Sequence, residues 1–212
     1  MKTDDLIKAI AADASARVPS LGVRTATALA IGAALAVVLF VLTLGVRPDV
    51  LDALQTWRFD TKLAITLLTF VGALWATGRL ARPDADRRLP LAALILPLLA
   101  LAIAVGSELT LSPIATWPAR AIGSNSKLCV VSIIAMSIAP LAALLIALGA
   151  GAPSSPGMAG AAAGLTAGGL AAALYATHCT DDSPMFVALW YTPAVLSITL
   201  MGAAVGRRVL RW

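Results

Sequence analysis

Six long apolar stretches set the outer limits of what this chain can fold into. They run at about 26–46, 61–80, 89–109, 128–149, 157–178 and 186–206, each near or above the roughly 18 apolar residues that read as a membrane span. A hydrocarbon environment satisfies no backbone polar group, so segments of this length are helices. The expected fold class is all-α, a polytopic bundle of six transmembrane helices. Composition agrees: 59% of residues are hydrophobic and 13% charged, and the mean hydropathy is +0.89, too apolar for an ordinary soluble domain. The second stretch is the most polar, because Lys62 and Arg79 crowd its centre. Both are expected to snorkel to the interfaces. The resulting organisation is a cytoplasmic amphipathic segment over 1–24, the six-helix domain over 25–207 and a short cytoplasmic tail over 208–212.

An even number of spans puts both termini on one side. Eleven Lys and Arg fall on that side, in the N-terminal segment, in the loop after span two (Arg79, Arg82, Arg87, Arg88) and in the tail. The other side holds five: Arg47, Arg58, Lys62, Arg120 and Lys127. The positive-inside rule therefore predicts N-in and C-in. This topology accounts for the net charge of +5 without a nucleic-acid partner. Trp57, Trp117, Trp190 and Tyr191 are expected as interface anchors at the outer surface. Pro97, Pro140 and Pro193 lie inside spans and predict kinks filled by neighbouring helices.

Cys129 and Cys179 are the two cysteines of the chain. Spans four and five are joined by a short loop around Pro153, which makes them antiparallel neighbours. Cys129 precedes that turn and Cys179 follows it by nearly equal lengths, so the thiols share one depth at the outer surface, where cysteines can oxidise. Gly160, Gly164 and Gly168 recur every four residues on span five, a small-residue face that lets two helix backbones approach, here expected to be those of spans four and five. Lys127 and His178 stand next to the cysteines and could raise the thiolate fraction, while Asp181 and Asp182 oppose it. Cys129, His178, Cys179 and Asp181 also have the donor types for a transient soft-metal ion, the one cofactor considered. The bland alternative is a pair of inert apolar cysteines.

Enzyme motifs are missing. There is no C-x-x-C, phosphate loop, nucleophile elbow or metalloprotease signature, and so no catalytic residue to assign. The spans carry no acidic residue at mid-membrane, with Glu108 near the outer end of span three. This counts against an ion transporter, and leaves a small carrier for a neutral or metal solute as one alternative function and a membrane thiol oxidoreductase as another. At the start of the chain, Leu6, Ile7 and Ile10 form the apolar side of a short amphipathic helix stopped by Pro19. Asp4, Asp5 and Asp13 weaken its attachment to an anionic leaflet and favour a protein partner over membrane lipid.

The opening Met1-Lys-Thr-Asp-Asp-Leu-Ile and the stretch Tyr175-Ala-Thr-His178-Cys179-Thr-Asp-Asp-Ser-Pro184-Met-Phe186-Val-Ala-Leu-Trp190-Tyr191 resemble the NrsF family, negative regulators of an extracytoplasmic-function (ECF) sigma factor, sigma F. The resemblance spans essentially the whole chain. It implies a bacterial inner-membrane anti-sigma factor, regulating transcription in a stress response. It also implies that Cys129 and Cys179 sense oxidants or heavy metals. The chain lacks the His-xxx-Cys-x-x-Cys zinc module of many soluble anti-sigma domains, so contact with the ECF sigma factor on the cytoplasmic side is expected from the N-terminal helix, through Asp4, Asp5, Leu6, Ile7 and Ile10, with help from the basic loop 79–88 or the tail. Oligomeric state stays open.

Overall fold

The computed structural model describes residues 3–5, 7, 19–83 and 88–211. Among them there are helices and no strand. Six helices are long and apolar enough to cross a membrane, at Leu21–Thr43, Trp57–Leu80, Pro90–Leu111, Ser126–Leu148, Pro156–Ala176 and Pro184–Val209. Every span read from the sequence is present, with ends shifted by a few residues. Leu6, Ile10, Asp13 and Arg87 lie outside the described residues. Thr3–Asp5 and Ile7 are helical and exposed.

In chain order the elements are α1 (Leu21–Thr43), α2 (Val50–Ala53), α3 (Trp57–Leu80), α4 (Arg88–Ala93), α5 (Ile95–Leu111), α6 (Trp117–Ile122), α7 (Ser126–Leu148), α8 (Pro156–Ala176), α9 (Pro184–Phe186) and α10 (Thr192–Val209), with a π-helical turn at Val187–Tyr191. Local chemistry sets the ends. Ser20 caps α1 by accepting from the Val23 amide at 3.4 Å. The helix stops where Gly45 takes φ 71°, and the Leu44 and Gly45 amides both close on the Phe40 carbonyl at 2.9 Å. Pro156 occupies the first turn of α8, where its missing N–H costs nothing.

The bundle is organised around α8. Its span is 67% buried, against 17% for the first and third spans. It packs on α10, α3 and α7, and α1 packs on α7. Apolar side chains gain little by leaving lipid, so close backbone contact has to hold these helices together. The glycines supply it. A Cβ on Gly164 would sit 2.5 Å from the Ile198 carbonyl oxygen, and one on Gly160 would collide with the Gly202 carbonyl. The glycine face therefore meets α10. The expected partner, span four, lies on another side of α8, because Gly202 and Gly206 on α10 give the reciprocal small face. On the far side Gly169 abuts the Phe70 backbone of α3. Gly32 of α1 lies against Pro140 of α7, where an added Cβ would come within 2.5 Å of the proline Cα. The span-four proline thus marks the contact with α1.

Two clusters fill the interior. One holds Leu141, Leu144, Leu148, Ala163, Ile198 and Leu210. The other holds Phe40, Cys129, Ile133, Met136, Tyr175, Cys179, Phe186 and Tyr191.

Candidate functional site

Both cysteines end in the second cluster, at the end of the bundle where α1 finishes and α7 begins. Cys129 stands in the first turn of α7, its amide donating to the Asn125 carbonyl at 2.8 Å. Cys179 follows the last turn of α8, its amide donating to the Tyr175 carbonyl at 3.0 Å. They are 0% and 1% exposed, and both are free thiols. Burial pushes the Cys179 thiol above its ordinary value, and the nearby Lys62 charge opposes that only in part. At rest, then, Cys179 is a neutral thiol.

The loop 177–183 that carries Cys179 is held by charges from two other segments. Lys62 of α3 is 1% exposed. Its Nζ donates to the Cys179 carbonyl at 2.8 Å and pairs with Asp182. Arg47, in the loop after α1, donates to the same carbonyl at 3.3 Å and to the Asp182 carboxylate at 2.8 Å, while its other edge pairs with Asp49 at 2.7 Å. Asp182 and the two cations thus bind Cys179 to α1 and α3. The clamp extends through the backbone: the Arg47 amide donates to the Thr177 carbonyl at 3.0 Å, and His178 Nδ1 lies 2.9 Å from the Gly45 carbonyl oxygen. Asp181 turns the other way and accepts from the Ser124 and Asn125 amides, each at 3.0 Å. A carboxylate there satisfies orphan N–H groups at the start of α7 and complements its dipole.

The neighbours of the thiols differ from those the sequence singled out. Lys127 is exposed on α7, and the cation in the cluster is Lys62. The expected snorkelling of Lys62 does not occur, because Asp182 offers a half-buried counter-ion. His178 and Asp181 engage main-chain groups of the α1–α2 loop and the α7 start. Among the described residues no group of three or more His, Cys, Asp and Glu is placed to hold a metal ion. Tyr191, expected at the interface, is 2% exposed and packs its ring against Tyr175 and Phe186. Trp190 is half-buried and donates to the Ala121 carbonyl at 2.9 Å.

A second ionic cluster lies at the same end. Glu108, 0% exposed, accepts from Arg58 at 2.9 Å, from Arg120 at 2.7 Å and from Ser112 at 3.2 Å. Sequence reasoning missed Lys62, Arg47 and Asp182 as a group. The available signal was that an ionisable residue inside an apolar run is by default engaged with a partner. At the other end of the chain, Asp4, Asp5 and Ile7 are exposed.

Residues 10–212 match the family described as negative regulator of sigma F, NrsF. The chain is 37% identical to a probable anti-sigma-F factor NrsF of Azospira oryzae and 35% identical to an anti-sigma-F factor NrsF of Caulobacter vibrioides, in each case over the full length of both proteins. No solved structure matches.

Proposed function

The chain belongs to the NrsF family of negative regulators of sigma F, and from that footing we propose that it is an inner-membrane anti-sigma factor whose cysteine pair controls release of an ECF sigma factor. The sigma factor docks on the cytoplasmic side, on the N-terminal segment that carries Asp4, Asp5, Leu6, Ile7 and Ile10. An oxidant or a soft heavy-metal ion reacts with Cys129 and Cys179 at the periplasmic face. The chain is a binding protein with no resident cofactor and no reaction of its own, and it does not touch nucleic acid.

The observation that carries this reading is the position of the thiols at a junction of helix ends. Cys179 sits on a loop that grips the end of α1 through Arg47 and Gly45, α3 through Lys62, and the start of α7 through Asp181. Bridging the two sulfurs, directly or through a metal, pulls that loop toward α7. The Gly32–Pro140 contact couples α7 to α1, and in sequence the docking segment precedes α1. A few kcal/mol of differential stability is enough to change occupancy of such a switch.

The test is co-purification of the sigma factor with the solubilised protein, before and after oxidant or cadmium. Wild type is expected to lose its partner on treatment. Cys129→Ser and Cys179→Ser are each expected to keep it, and the double variant to behave as either single, because a pair acts as one unit. Normal release from either single variant would reject the sensor.

A further inference from the structure

Two buried hydroxyls beside the thiols make no hydrogen bond to any of the described residues. Tyr175, on α8, is 0% exposed, and Tyr191, in the π-helical turn, is 2% exposed. Their rings stand 5.8 Å apart, tilted by 58°. Both residues belong to the cluster that contains Cys129 and Cys179, and the Tyr175 carbonyl accepts the Cys179 amide at 3.0 Å. Lys62 approaches from a third side, its Nζ 2.8 Å from the Cys179 carbonyl oxygen.

An unbonded buried hydroxyl destabilises a fold, so phenylalanine would be the better residue at both positions if packing were the only demand. A neutral thiol is a weak acceptor and gives a phenol little. An ionised sulfur is a strong one, because hydrogen bonds to a charged partner are about twice as strong as neutral ones. We propose that Tyr175 and Tyr191 are hydrogen-bond donors reserved for the thiolate through which the cysteine pair reacts, with Lys62 as the compensating cation. The substrate class this suits is a small, soft electrophile. In the resting state the Cys179 S–H points toward the Asp181 carbonyl at 3.9 Å and the phenols are idle. When the proton leaves for bulk water, both O–H groups donate to the sulfur. This inference rests on the sensor reading and adds the groups that make the buried sulfur reactive.

The test uses the full-length solubilised chain with Cys129→Ser, so that Cys179 is the single thiol, and methyl methanethiosulfonate as the electrophile. The thiolate attacks the divalent sulfur of the reagent, a methyl disulfide forms on Cys179, and methanesulfinate leaves with the electron pair of the broken S–S bond. The charged groups nearest the sulfur, Lys62 and Asp181, stay intact, as do Arg47, His178 and Asp182, which hold the loop that carries it. At about pH 8, Tyr175→Phe and Tyr191→Phe are each expected to slow the reaction several-fold, and together roughly tenfold or more, while the thermal midpoint holds or rises. A merely loosened cavity would speed entry of the reagent, so the sign of the change separates the two causes. An unchanged or faster rate in the double variant would overturn the proposal, and if that variant does not fold, unchanged rates in both singles would do so. Sigma release is read separately, so a slowed thiol in a protein that still lets go of its partner without cysteines would refute the sensor and leave this chemistry standing.

Discussion

Asp182 and Lys62 form one ion pair, yet removing one partner should differ sharply from removing the other. Lys62 is buried with its side chain 0% exposed, and Asp182, 17% exposed, is the carboxylate it pairs with. Asp182 has a second cation, Arg47, at 2.8 Å, and Arg47 keeps Asp49 as well. In Asp182→Asn the ammonium is left buried with carbonyl partners alone. Breaking a buried pair in this way costs about 3–5 kcal/mol, and the partial exposure of Asp182 argues for the lower end, about 3. In Lys62→Met the carboxylate retains Arg47, and the Cys179 carbonyl retains its 3.3 Å bond from Arg47. The cost is then a single charged hydrogen bond, partly offset by the desolvation no longer required, or about 1 kcal/mol net. For a chain of this length about 1 kcal/mol shifts the midpoint by roughly 2–4 °C. Thermal unfolding of the solubilised protein, followed by tryptophan fluorescence, should show Asp182→Asn lower by about 6–12 °C and Lys62→Met by a few degrees. The double variant should recover most of the loss. Equal destabilisation by the two single changes, or no recovery in the double, would refute the reasoning that an isolated buried ammonium is the costly species.

Leu6→Asp with Ile10→Asp should abolish sigma-factor pull-down at unchanged membrane abundance, since burying each apolar anchor is worth about 1.5–3 kcal/mol; equal recovery would move suspicion to Arg82, Arg87 and Arg88. Gly164→Val should destabilise the bundle by about 3 kcal/mol or more, because the added atoms meet the α10 backbone at Ile198 and Thr199, and a denaturation series on the solubilised variant measures it. Raised above its ordinary value of 9.0, the Cys179 thiol keeps its proton in the folded state, so the folded protein is favoured below pH 9 and loses that advantage as pH rises further; alkylation of native protein near pH 9 should be far slower than of denatured protein. A reporter fused after Trp212 should be active only in the cytoplasm, and periplasmic activity would put both cysteines on the reducing side.

The six spans were legible because length and hydropathy suffice for a helix in lipid. Their ends were less so. α1 begins at Leu21 rather than 26 because Ser20 caps it, and α3 begins at Trp57, taking Arg58, Asp60 and Lys62 into its first turns. The cysteines' shared end followed from counting along one hairpin. The glycine face was visible as a face, but a repeat along one helix cannot say which neighbour it meets, and Gly202 and Gly206 were the unread half of that answer. The clamp was hidden for a related reason: Arg47, Lys62 and Asp182 are far apart in sequence, and their pairing depends on how three helix ends converge. Local adjacency pointed instead to Lys127 and His178, which face elsewhere. Tyr191 reads as a belt residue from its position beside Trp190, and only the π-helical turn explains why its ring points inward.

The loop 177–183 has the position of a keystone. The last turn of α1, the first turns of α3 and the entry to α7 each lean on it through a different side chain or carbonyl. Supports that share one stone do not yield in proportion to the push; they stand until it shifts and then go together. α1 is an unbroken helix of 23 residues, a stiff rod of about 34 Å, so a tilt at its gripped end would arrive at its other end, at Leu21, as a displacement. A chain built this way would report a threshold rather than a dose, with each molecule either holding its cargo or free of it.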